Sequence, residues 1–216
     1  MYTPCFIGED CEASYRWKQL GQTPTGPFHK KGITLARLMR LLQDDFLNIC
    51  NKNNLRIVDP LKGYNNSLGG CLRVTEVIDN QIGMELWHDF PAHLQFDEQY
   101  NRFIDGMSKE MAEFKNLVCY DLRPILFIHK KTDLLSIADN NDLKNQYRIL
   151  LSQLKYHRAG RRFLLVALGH NDQFREDWKM ENLMTLQINT PKLWGHDLPE
   201  ESWRKVYSLC NQARLL

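Results

Sequence analysis

The sequence predicts an α/β fold: a layered, partly parallel sheet flanked by helices, with a central β-hairpin elaboration. Three observations predict it. The run 163–168, "FLLVAL", is continuously apolar, the pattern of a strand buried on both faces of a parallel sheet. The second half of the chain alternates strand-like and helix-like segments, which argues for helices laid against a sheet that is parallel at least in part. The middle carries two β-rich runs, "LRVTEVID" and "IGMELWHDF", separated by Asn80 and Gln81, which read as a hairpin.

The elements follow in order. A short strand candidate spans 4–7. Ala13, Trp17 and Leu20 then recur at helical spacing, and Gly21 is a natural stop. "QTPTGPFHKKG" is turn-rich. Leu35, Leu38, Leu42 and Phe46 mark a second amphipathic helix, with Thr34 placed to cap it. After the hairpin, Tyr100, Phe103, Ile104, Met107, Met111 and Phe114 keep a helical period. "PILFIHK" is a strand bounded by Pro124, and Leu143, Tyr147, Leu150, Leu151 and Leu154 form a helix face. "RFLLVALG" and "LMTLQIN" are further strands. A last helix starts near Pro199, with Trp203, Val206, Tyr207 and Cys210 on one side. No linker divides the chain, so residues 1–216 are expected to form a single domain.

Composition narrows the function classes. A hydrophobic content of 43% in 216 residues suffices for a packed core. The formal net charge of +2 gives no overall field toward nucleic acid or an anionic membrane, and neither is expected as a partner. The one basic run, "KYHRAGRR", reads as a solvated helix end. The six cysteines show no CxxC pair and no regular framework, which points to reduced thiols in a cytoplasmic compartment. "MYTPCFIGED" lacks the basic and apolar regions of a signal peptide, and the longest apolar run is too short to span a bilayer.

The chemistry centres on Cys11. If the first strand gives way to a helix near Asp10, this thiol lies in the first helical turn, where free N–H groups and the helix dipole favour a thiolate. Glu9, Asp10 and Glu12 oppose it, so their carboxylates are expected to face solvent if the site works. A packed, inert cysteine is the competing reading. A nucleophilic thiol needs a base. His88 ends a strand candidate just before a proline turn and is the leading choice. Asp89 is its nearest orienter in sequence, although adjacent strand residues point to opposite faces. His129 and His170 compete for the role, while His29, His93, His157 and His196 read as surface or loop residues. His88, Asp89 and His93 approach a metal-ligand spacing, but Pro91 breaks the helix that would align them, so no metal is expected. There is no P-loop and no G-x-G-x-x-G, and no cofactor is expected. Gly169, His170, Asn171 and Asp172 form a loop after a probable parallel strand, a usual place for ligands.

"FIGEDCEASYRWKQLGQTPTGPF" resembles the opening of a bacterial family of papain-like cysteine peptidases. The shared features are Gly8, Cys11, Leu20, Gly21 and the Gly26-Pro27-Phe28 triplet. His88-Asp89-Phe90 and "ILFIHK" resemble later stretches of the same family. The chain has His29-Lys30 where the family pattern continues Asp-Trp. The resemblance implies a thiol-dependent hydrolase of a peptide or amide bond. Cys11 would be the nucleophile and His88 the base, with Asp89 beside them. Gly8, Phe28, His129, His170 and Asn171 are the substrate-binding candidates. Two other readings stay open. One is a transferase, such as a glycosyltransferase, holding a nucleotide-linked donor at the carboxyl edge of the strands, with Arg161, Arg162 or Lys130 on its phosphates. The other is a non-catalytic binding domain on the same scaffold.

Overall fold

The computed structural model describes residues 2–9, 12–19, 26, 28, 32–47, 49–65, 71–81, 83–86, 89–131, 140–169, 174, 176–188 and 201–212. Four parallel strands form the main sheet: β1 (Thr3–Phe6), β5 (Ile125–Lys130), β6 (Phe163–Gly169) and β7 (Leu183–Gln187), hydrogen-bonded in that order. Helices α1 (Glu12–Gln19) and α5 (Glu201–Gln212) cover one face. Helices α2 (Leu35–Gln43), α3 (Phe96–Cys119) and α4 (Asn140–Arg158) cover the other.

The two-residue period of the strands builds this sandwich. Cys5, Ile7, Phe127, Leu165 and Ala167 join the core that holds Leu38, Leu42, Phe114 and Leu150 of α2–α4. Phe6, Leu126, Ile128, Val166 and Leu168 join Ala13 and Trp17 of α1 and Trp203 and Val206 of α5. Strands β5 and β6 therefore bury both faces, which is why their sequences are almost unbroken runs of apolar residues.

The second sheet is antiparallel, in the order β2 (Leu55–Asn65), β3 (Cys71–Asp79), β4 (Glu85–Leu86). The hairpin across Asn80 and Gln81 exists, but its second strand has only two residues. The main partner of β3 is β2, which sequence pattern does not reveal. Ile57, Val58 and Leu61 of β2 are exposed and Pro60 interrupts it, with register shifts on either side of Asp59. A strand at a sheet edge tolerates both features and loses its alternation. The Asn80–Gln81 turn is held by buried Asp79. Its carboxylate accepts the Gln81 N–H at 2.9 Å and the Cys50 N–H at 2.6 Å.

The basic run is a helix end solvated only in part: Lys155, Tyr156 and Arg162 are exposed. Arg158, the last residue of α4, is 0% exposed. Ala159 and Gly160 then turn the chain with positive φ, 46° and 82°, into β6. No helix among the described residues is long and apolar enough to cross a membrane. Cys5, Cys50 and Cys119 carry free thiols, the first two buried.

Candidate functional site

The carboxyl ends of the parallel strands converge on Gly8, Glu9, His129, Lys131 and Gly169. Gly8 follows β1 at the point where the chain crosses Lys130. A Cβ there would lie 2.9 Å from the Lys130 backbone nitrogen, so only glycine allows the approach. That approach lets the Glu9 N–H donate to the Lys130 carbonyl at 2.9 Å.

Glu9 is the central polar group of this edge. Its side chain is 5% exposed and its Oε1 lies 3.0 Å from Lys131 Nζ. The same oxygen accepts the Leu35 N–H at 3.3 Å. Leu35 is the first residue of α2, so Glu9 caps that helix from 26 positions away. Thr34 occupies the N-cap position, but its side chain makes no cap bond. The expectation that the Glu9 carboxylate faces solvent is therefore corrected. It is enclosed, and a lysine and a helix N-terminus neutralise it.

His129 lies on β5 and is 0% exposed. Its Nδ1 is 2.7 Å from the Tyr147 hydroxyl of α4, and no described group reaches its Nε2. Burial holds the imidazole pKa down at about 4; Glu9 opposes the shift and Lys131 adds to it. The ring is thus neutral at ordinary pH. Tyr147 also packs edge-on against Trp178 and Phe174, which stack on each other at 5.6 Å. Phe174 seals the end of β6: a Cβ on Gly169 would come within 2.4 Å of its ring.

The depressed histidine makes stability pH-dependent. Unfolded His129 takes a proton near pH 6.5, whereas folded His129 resists protonation until about pH 4. Its contribution is complete above pH 6.5 and is lost as pH falls through that window. The loss is about 3 kcal/mol. Denaturant titrations at several pH values are expected to show this slope in the native protein and a flatter one in His129→Gln. Parallel slopes would refute the assignment.

Asp89 is half-buried and lines a groove of about 390 Å³ with Gln99, Arg102, Phe103 and Glu110 of α3. Its neighbour Phe90 is buried and packs 4.8 Å from Phe103. Phe103 sits about 24 Å along α3 from Cys119 at a rise of about 1.5 Å per residue. Cys119 ends α3, which leads into the start of β5, so the Asp89 groove lies along α3 away from that end.

Phe28 is a core residue in this structure. It is 1% exposed and meets Phe114 edge-on at 5.5 Å inside the α2–α4 core. Gly26 has a φ of +97° and packs against β1, where a Cβ would sit 3.2 Å from the Phe6 carbonyl. Gly26 and Phe28 are therefore explained by packing. His129 is likewise enclosed and offers no side chain to a ligand in solvent. Cys11, His88, His170 and Asn171 lie outside the described residues. Glu9 enters the sequence reading only as an unfavourable neighbour of Cys11; its pairing with Lys131, 122 positions away, leaves no local signal. Among the described residues no three His, Cys, Asp or Glu side chains cluster as metal ligands.

Comparison with known proteins gives no relative: no family model, no curated protein and no solved structure matches this chain.

Proposed function

We propose that the chain is a thiol-dependent hydrolase of a peptide or amide bond, working at the carboxyl edge of the parallel sheet. Cys11 is the nucleophile and His88 the base. The observation that carries this reading is the enclosed Glu9–Lys131 pair with the Leu35 N–H on the same carboxylate. It removes a negative charge two positions before Cys11, where an unpaired carboxylate would oppose a thiolate. Helix α1 begins at Glu12, the residue after Cys11, so its free N–H groups are directed at this part of the chain. The resemblance of the opening stretch to papain-like peptidases supports the same chemistry.

In the proposed cycle His88 takes the Cys11 proton as sulfur attacks the carbonyl carbon. The imidazolium then gives that proton to the leaving amine, and a thioester remains. Water, deprotonated by the same imidazole, releases the acid and restores the thiol.

The transferase reading loses its cations. Arg161 and Arg162 precede β6 and stand at the amino end of the strands, away from the edge that would hold a donor. Lys130 is 4% exposed, Lys131 is engaged by Glu9, and Phe174 closes against Gly169.

The test is reaction of the native protein with an electrophilic thiol probe, with the modified cysteine mapped, alongside turnover of a mixed fluorogenic peptide-amide set. Cys11 is expected to be the most reactive of the thiols with this probe. Cys11→Ala is expected to lower turnover by about a thousandfold or more with an unchanged melting temperature. His88→Ala is expected to lower Cys11 reactivity specifically. A Cys11 that resists alkylation until the protein unfolds, with a lower melting temperature in Cys11→Ala, would make it a core residue and end the proposal.

A further inference from the structure

At the opposite end of the sheet, the last turns of α2, α3 and α4 enclose an open groove of about 1010 Å³. Cys119 and His157 meet on its wall, with Cys119 Sγ 3.7 Å from His157 Nδ1. The other ring nitrogen, Nε2, lies 2.8 Å from the Leu42 carbonyl. A carbonyl only accepts, so Nε2 carries the proton and Nδ1 presents its lone pair to the thiol. The pair thus has a nucleophile, a base and a group that orients the base. Sequence position alone reads His157 as a surface residue; the fold makes it the partner of a cysteine 38 positions away.

The surroundings say what such a thiol reacts with. Arg161 donates to the carbonyls of both Cys119 and His157, which pins the two together. Of the charged groups that line the groove, Lys115 is neutralised by Asp45 at 2.6 Å, which leaves Arg161 as its uncompensated charge; Arg158 is buried behind the wall, where Asp121 acts on it. The local field is therefore positive and favours an anionic ligand. Tyr120 and Tyr156, 63% and 81% exposed, flank the groove and offer apolar surface. The volume matches a ligand the size of a short peptide. Burial raises the Cys119 pKa, with Asp45 acting the same way and Lys115, Arg161 and Arg158 opposing. At rest the sulfur is a thiol, and its proton moves to His157 only as it reacts.

We propose that this groove is a second reactive site, in which Cys119 exchanges with small acidic disulfides and becomes a mixed disulfide. The Cys119 sulfur attacks one sulfur of the incoming disulfide and His157 Nδ1 takes its proton. The S–S bond breaks, one half stays bound to Cys119, and the other leaves as a thiolate that recovers the proton from the imidazolium. The disulfide is the oxidant, and no other reactant is needed. This proposal does not rest on the Cys11 reading, whose chemistry is acyl transfer and not thiol–disulfide exchange.

The experiment incubates the full-length native protein with glutathione disulfide, quenches with acid, and quantifies mixed disulfide at each cysteine by peptide mass mapping. Cys119 is expected to be modified first, and faster with glutathione disulfide than with the neutral disulfide of 2-mercaptoethanol. His157→Gln is expected to slow Cys119 modification by at least about tenfold, with circular dichroism confirming the fold. The comparison of acidic with neutral disulfide needs no variant, so it holds even if His157→Gln is unstable. Cys119 left unmodified in folded protein, or reacting equally with both disulfides, would overturn the proposal. So would an unchanged rate in a folded His157→Gln. Because the peptide identifies the cysteine, failure here is distinguishable from failure of Cys11 chemistry.

Discussion

Leu165→Asp is expected to leave no folded protein under ordinary conditions. Leu165 is on β6, an interior strand, with 0% exposure, paired with Phe127 on one side and Leu183 on the other. An aspartate there either buries an unpaired charge or stays protonated without a partner. Either costs several kcal/mol on top of the lost leucine packing. The total exceeds about 5 kcal/mol, against a typical domain stability of about 5–15 kcal/mol. Leu165→Ala, which loses packing and adds no charge, is expected to cost about 2–5 kcal/mol. Soluble yield and denaturant midpoints of the two variants check the difference. A soluble Leu165→Asp protein within about 1 kcal/mol of the parent would mean that β6 is not interior.

Arg158→Met is expected to cost about 3–5 kcal/mol. The Arg158 guanidinium donates to five carbonyls. Nη1 reaches Leu117, Val118 and Asp121 at 3.1, 3.4 and 2.7 Å. Nη2 reaches Arg123 and Arg162 at 2.8 and 3.3 Å. These oxygens belong to the end of α3, the turn into β5 and the approach to β6, so one planar fork closes three chain ends. Methionine keeps most of the stem and removes every donor, which leaves the carbonyls without their bonds. Arg158→Lys is expected to recover only part of the loss, because a point ammonium cannot reproduce a fork of donors. Equilibrium unfolding in urea gives both values. Equal stability of the lysine variant and the parent would show that charge alone, and not the fork, holds this corner.

The main sheet was legible because its signals are local. The apolar runs of β5 and β6 record burial on both faces, and the helical periods of α2, α3 and α4 record one buried stripe each. Strand β2 was illegible because an edge strand with exposed Ile57, Val58 and Leu61 follows no alternation. Arg158 misled for a related reason. An arginine in a basic run at a helix end looks solvated, and only the convergence of five carbonyls, most of them more than 30 positions away, makes its burial favourable.

The candidate sites divide along the same line. The glycine before the thiol, the histidine one residue from the end of β5 and the loop after β6 are visible as residue types at strand ends, which is what a parallel sheet needs to present chemistry. What the side chains face is not visible. Glu9 reads as a repulsive neighbour of Cys11 until Lys131 and the α2 N-terminus close on it. Phe28 reads as part of a motif until Phe114 shows it to be core. His157 reads as surface until Cys119 and the Leu42 carbonyl take its two nitrogens. Sequence by itself determined which segments bury one face or two, because burial is written in the spacing of neighbouring residues. Tertiary structure decided which polar groups are paired, neutralised or enclosed, because those partners lie tens of residues away and meet only when the helices settle on the sheet.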